Sequence, residues 1–125
     1  MDNANPSRGF TLVELLIVVV VIGILAMIAI PRFASTKGKG YDAAAKTDLR
    51  NAMTAQEAYY ADYQTYASDD DLLKGGGYFR NSSDVGLSIF VGNTSMYKMT
   101  TRHEQGSRRW CINSTAGEIM EGDTC

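Results

Sequence analysis

Between Leu15 and Ile30 lie sixteen consecutive residues with neither a charge nor a hydroxyl, and this run limits what the chain can become. Extended back to Phe10, the block reads FTLVELLIVVVVIGILAMIAI. As an α-helix, Phe10 to Ile30 spans roughly 31 Å, enough to cross the hydrocarbon core of a bilayer. Apolar residues occur on every side of that helix, so it has no solvent face. The chain has only 125 residues, room for one domain, and a soluble protein of that size cannot surround such a helix. An ordinary secretory signal fits poorly, because the block is too long and Pro31-Arg32-Phe33 is not a small-residue cleavage site. Arg8 precedes the block while Arg32, Lys37 and Lys39 follow it. Taken alone, the positive-inside rule puts the C-terminal side in the cytoplasm.

Beyond Pro31 the chain is polar and mixed, so the mean hydropathy of −0.16 averages two unlike parts. Twelve Lys and Arg stand against fourteen Asp and Glu. That balance gives no support to a nucleic-acid binder, which would carry a basic footprint. Glu14 is the informative charge. A carboxylate inside an apolar segment is costly and marks a functional site. Near the N-terminal end the helix dipole lowers that cost. No Lys or Arg lies within helical reach inside the block. A free amine at Phe10 would serve as its partner if the chain were cut after Gly9, on the same chain or on a packed neighbour.

Arg8-Gly9-Phe10-Thr11-Leu12-Val13-Glu14, followed by the apolar run and Pro31, resembles the prepilin signature of type IV pilins and pseudopilins. The resemblance implies cleavage between Gly9 and Phe10 by a membrane prepilin peptidase, and N-methylation of Phe10. It implies insertion with the leader in the cytoplasm, against the bare charge rule. It assigns Glu14 to neutralise the Phe10 amine of an adjacent subunit during assembly. Gly23 and Pro31 match positions between which family members loosen the helix in the filament. Physically this fits, since Gly costs about 1 kcal/mol and Pro about 3 kcal/mol in a helix interior.

After Pro31 the pattern becomes one-sided. Tyr41, Ala45, Leu49, Ala52, Gln56, Tyr60 and Tyr63 recur at helical spacing, with Met53 and Tyr59 widening the stripe and Lys46, Arg50 and Asp62 off it. The pattern predicts one helix from about Thr11 to about Ala67, far longer than a globular helix. YDAAAKTDLRNAMTAQEAYYADYQTYA resembles the matching helix of pilins with a short or moderate head. A connecting loop is expected over 68–84, with a helical turn at Asp69-Asp70-Asp71-Leu72-Leu73 capped by Ser68 and broken by Gly75-Gly76-Gly77. Adjacent carboxylates do not make a calcium cage, so these three Asp read as a solvated acidic turn. Runs at 87–91, 96–101, 109–113 and 118–120, parted by polar turns, read as an antiparallel meander. The expected fold is α+β: a long N-terminal helical spine, apolar then amphipathic, packed on a small antiparallel sheet. The expected parts are a leader (1–9), a membrane or filament-core helix (10–30), its amphipathic continuation (31–67), the αβ-loop (68–84) and the head (85–125).

Cys111 and Cys125 are open to a disulfide, a redox pair or part of a metal site. The CxxC spacing is absent and His103 is the one histidine, so a disulfide is expected if the head lies outside the cytoplasm. In type IV pilins a C-terminal disulfide of this sort bounds an exposed region, whereas many secretion pseudopilins lack it and carry calcium instead. His103, among Arg102, Glu104 and Gln105, reads as an exposed spectator. No nucleophile, phosphate-loop or metalloprotease motif appears, so no enzyme, cofactor or metal is expected. Arg108-Arg109-Trp110 and the tyrosines read as a solvated face and as packing rather than as a nucleic-acid site or an electron path. The resemblance implies a structural subunit that polymerises with itself and works with the prepilin peptidase, an assembly platform and ATPases. It would sit in the inner membrane with its head in the periplasm and then in an extracellular filament. A minor pilin, a type II secretion pseudopilin and a bitopic anchored protein are the alternatives.

Overall fold

The computed structural model describes residues 9–125. It contains helix α1 (Leu12–Tyr63), helix α2 (Asp70–Gly75) and strands β1 (Val85–Gly92), β2 (Tyr97–His103), β3 (Arg109–Asn113) and β4 (Ile119–Glu121). The chain divides into two compact units between Ser35 and Thr36, and α1 contributes to both. The N-terminal unit is helical from Leu12 onward, without interruption at Gly23 or Pro31. Its large apolar side chains, from Leu12 to Ile30, are all exposed.

In the second unit, the α1 residues Ala45, Leu49, Ala52, Ala55 and Gln56 are buried. Most are small, so the sheet can approach the helix closely. The strands form an antiparallel meander in the order β1-β2-β3-β4. A bulge between Ile89 and Val91 shifts the register of β1 on β2. Tyr97, Met99, Thr101 and His103 alternate along β2 and are all buried. Leu49, Leu73, Met99 and Ile112 are the largest wholly buried apolar side chains and centre the core.

Polar side chains on the buried face of α1 tie down the loops of the head. Gln56 clamps the 64–69 connection at Ala67, accepting the Ala67 N–H at 2.8 Å and donating to the Ala67 carbonyl at 3.1 Å. Asp48 takes the Ser82 N–H at 2.7 Å and its hydroxyl at 2.8 Å. Asp42 takes the Arg108 N–H and the Ser107 hydroxyl, each at 2.9 Å. Trp110 donates to the Asp42 carbonyl at 2.9 Å, and Thr101 to the Ala45 carbonyl at 2.7 Å. Each loop therefore exchanges water for a buried acceptor, as buried backbone N–H groups require.

Several expectations are corrected. Helix α1 stops at Tyr63 rather than Ala67, because Gln64 turns left-handed (φ 56°) and donates its N–H to the Tyr60 carbonyl at 2.8 Å. The cap of α2 is Asp69 rather than Ser68, with Asp69 accepting the Leu72 N–H at 3.0 Å. Tyr63, the last residue of the expected stripe, is 58% exposed and stacks on Tyr59 at 4.5 Å, so the stripe is not buried to its end. Tyr60 does reach the β1–β2 turn, donating to the Thr94 carbonyl at 3.4 Å. His103 is only 5% exposed, not a surface spectator. Strand β2 runs on to His103, whose ring stacks on Tyr41 at 4.3 Å while Nδ1 accepts the Gln105 N–H at 3.1 Å.

Candidate functional site

The candidate site lies where the non-helical chain becomes α1. Gly9, Phe10 and Thr11 precede the helix, and Phe10 is 89% exposed. The leader up to Arg8 falls outside the described residues. Leu12 is the first helical residue and Glu14 sits in the first turn. The Thr11 N–H and hydroxyl both donate to Glu14 Oε2, at 2.8 and 2.9 Å. In return the Glu14 N–H donates to Thr11 Oγ1 at 3.2 Å.

This is a capping box, in which the N-cap and the third helical residue satisfy each other's open backbone donors. Helix ends leave such donors without partners, and hydrocarbon offers no water to replace them. The box was legible as Thr-x-x-Glu ahead of an apolar run, a signal that looking only for a cationic partner of Glu14 overlooks. Glu14 therefore has a role inside its own chain, apart from the one expected of it toward Phe10. The box also holds the carboxylate close to the residue whose amine cleavage after Gly9 would free.

The segment that follows has no cover. From Leu12 to Ile30 its large apolar side chains are each about half exposed or more, with Leu12 at 81% and Val21 at 48%. The helix is long and apolar enough to cross a membrane. Exposed apolar surface on this scale marks a site of contact with lipid or protein.

At the other end of the chain, Cys111 and Cys125 form a disulfide, with Cα atoms 5.9 Å apart. Cys111 is buried in β3, so the bond pins the C-terminus to the sheet. Lys98 Nζ donates to the Cys125 carbonyl at 2.9 Å, and Arg109 pairs with Asp123 at 3.0 Å. Arg108 pairs with Glu121 at 2.8 Å, so the Arg108-Arg109 pair binds carboxylates of its own chain. Lys46 lies over the Trp110 ring at 4.5 Å. The tyrosines pack with one another, Tyr66 on Tyr60 at 4.6 Å and on Tyr97 at 4.8 Å, and Tyr59 against Tyr78 at 5.6 Å. Burial, with the Glu57 and Tyr66 charges next, pushes the Tyr97 hydroxyl up to about 12.

Known proteins match this layout. Residues 4–30 match the family described as the prokaryotic N-terminal methylation motif. The chain is 33% identical over 101 residues to the type IV wide pilus major component PilA4 of Thermus thermophilus, covering 81% of this chain and 77% of that protein. It is 47% identical over 64 residues to the type IV major pilin protein PilA of Myxococcus xanthus, covering 50% of this chain and 29% of that one. To the type II secretion system core protein G of Pectobacterium carotovorum it is 34% identical over 68 residues, 54% of this chain and 44% of that protein. The matched stretch is thus under half the length of the latter two relatives. These relatives are structural subunits and not enzymes. The chain is a pilus or pseudopilus subunit, and its apolar helix fits inner-membrane anchoring before assembly and a surface filament after it. By its methylation motif and by identity across most of the chain, this protein belongs to the type IV pilin family.

Proposed function

We propose that this chain is the major, filament-forming subunit of a type IV pilus. The observation that carries the reading is the uncovered apolar helix joined, at its first turn, to the Thr11–Glu14 box beside Gly9–Phe10. Prepilin peptidase cuts after Gly9, and the new Phe10 amine is methylated. The mature subunit waits in the inner membrane with its head in the periplasm. An assembly platform and its ATPases lift it into the polymer. There the Phe10–Ile30 helices exchange lipid for one another, and Glu14 meets the Phe10 amine of a neighbour. Gly23 and Pro31 mark where the helix loosens as subunits pack. Head-to-tail contacts of this kind do not close and so propagate as a fibre.

The Cys111–Cys125 bond favours a pilus, since type IV pilins carry a C-terminal disulfide of this sort and many secretion pseudopilins lack it. A second reading, minor pilin or secretion pseudopilin, is favoured by the likeness to core protein G. Shearing cells and resolving the released filaments separates the two. The major-pilin reading expects long filaments built mainly of this chain. Filaments containing it only as a trace component, or none in a cell that secretes through it, would overturn that reading.

A further inference from the structure

A cleft of about 310 Å³ opens between the end of α1 and α2, lined by Tyr59, Tyr63, Tyr78, Leu72 and Asp71. The Tyr78 hydroxyl is already given to Asp62, and the Tyr59 ring packs against both Tyr63 and Tyr78. No Lys or Arg lines the cleft. Lys74, the nearest cation in sequence, is held by Asp70 at 2.6 Å. Asp71 makes no ion pair among the described residues. Aromatic faces beside an unpaired carboxylate attract an organic cation, above all a planar guanidinium that can stack and hydrogen-bond at once.

The same head carries a matching group elsewhere. Arg102 on β2 is exposed and lies across from Arg109 on β3 and Gly86 on β1. Like charges directly opposite on neighbouring strands are unfavourable, and glycine offers no relief. Arg102 shares a surface hollow with Glu121 and Asp123, but both carboxylates are already engaged, Glu121 by Arg108 and Asp123 by Arg109. Arg102 makes no ion pair among the described residues. One subunit thus offers a guanidinium without an anion and an aromatic, acidic cleft without a cation.

We propose that in the filament Arg102 of one subunit seats in the Tyr59/Tyr63/Tyr78/Asp71 cleft of another copy, as a contact between the sheet domains of neighbouring subunits. The proposal rests on the filament reading above. The two surfaces are different, so the contact is heterologous and repeats along the fibre instead of closing into a dimer.

The test uses the full chain in piliated cells, with sheared filaments as the readout. Asp71→Arg and Arg102→Asp are each expected to lower filament yield about tenfold, through like-charge contact in place of the pair. The double variant Asp71→Arg/Arg102→Asp is expected to regain most of the yield, which a misfolded head cannot do. Leu72→Cys with Arg102→Cys is expected to give a ladder of covalent multimers on mild oxidation. Two outcomes would overturn the pairing: an exchange that restores nothing, or filaments that assemble normally with Arg102→Asp. The second of these, with yield lost only in Asp71→Arg, would mean that the cleft takes a diffusible amine. If wild-type cells make no filament of this chain, the filament reading and the pairing fall together.

Discussion

At the scale of single residues, the buried face of α1 is selected for hydrogen bonding as much as for apolarity. Gln56 closes both backbone bonds of Ala67. Gln56→Leu leaves that N–H and carbonyl buried and unpaired, an expected loss of about 1–3 kcal/mol in denaturant unfolding of the detergent-solubilised protein. At Asp42, burial alone would raise the carboxyl pKa, but the Arg108 and Ser107 hydrogen bonds outweigh it and hold it below the ordinary carboxylate value. A lowered carboxylate pKa adds stability above the unfolded value, and that stability is lost as pH falls through the folded one. Acid unfolding of the head is therefore expected to be steeper in wild type than in Asp42→Asn, followed by near-UV circular dichroism between about pH 5 and pH 2. Gln56 was legible as part of the helical stripe, whereas Asp42 and Asp48 were not. A carboxylate reads as solvent-facing until the loop N–H groups it receives are known, and those come from residues 34 to 66 positions away. His103 failed for a related reason: polar neighbours suggested an exposed side chain, but strand alternation buries it against Tyr41.

At the scale of elements, long periodic segments were readable and their ends were not. The apolar block and the stripe predict a single helix, and its termination at Tyr63 depends on Gln64 adopting a conformation that glycine usually supplies. All four strands lie within two residues of their expected places, because alternation and polar turns mark each one. The join between the helix end and β1 is a matter of close approach. A Cβ at Gly92 would run into the Ala67 backbone, whereas at Gly86 it would meet only the Arg102 carbonyl, at 3.9 Å. Gly92→Ala is expected to lower the melting temperature clearly more than Gly86→Ala, and equal effects would deny that Gly92 is required by packing. Leu49, wholly buried on α1, belongs to the core that the helix shares with the sheet. Leu49→Ala is expected to cost about 2–5 kcal/mol in the same unfolding measurement.

At the scale of the whole molecule, the head has its own core while the apolar segment has none. The Cys111–Cys125 bond closes a C-terminal loop of sequence separation 14, worth about 3 kcal/mol in the chain-entropy model. Replacing both cysteines by Ser is expected to lower head stability by that order and to expose the C-terminus to limited proteolysis, with α1 intact. The apolar segment from Leu12 to Ile30 has no such internal support, and its stability lies in lipid or in other copies of the chain. At its start, Glu14→Ala removes one half of the capping box and the proposed partner of the Phe10 amine. Taking one member from a buried ion pair costs about 3–5 kcal/mol, so filaments should be lost while immunoblots still show a cleaved subunit. A polymer built from chains cut after Gly9 shows its cleavage at the N-terminus. Intact-mass and N-terminal peptide mass spectrometry of sheared surface filaments reads that end. A dominant chain that begins at N-methylated Phe10 and carries one disulfide is expected. Filaments or membranes in which this protein still begins at Met1 would show that no such cut is made.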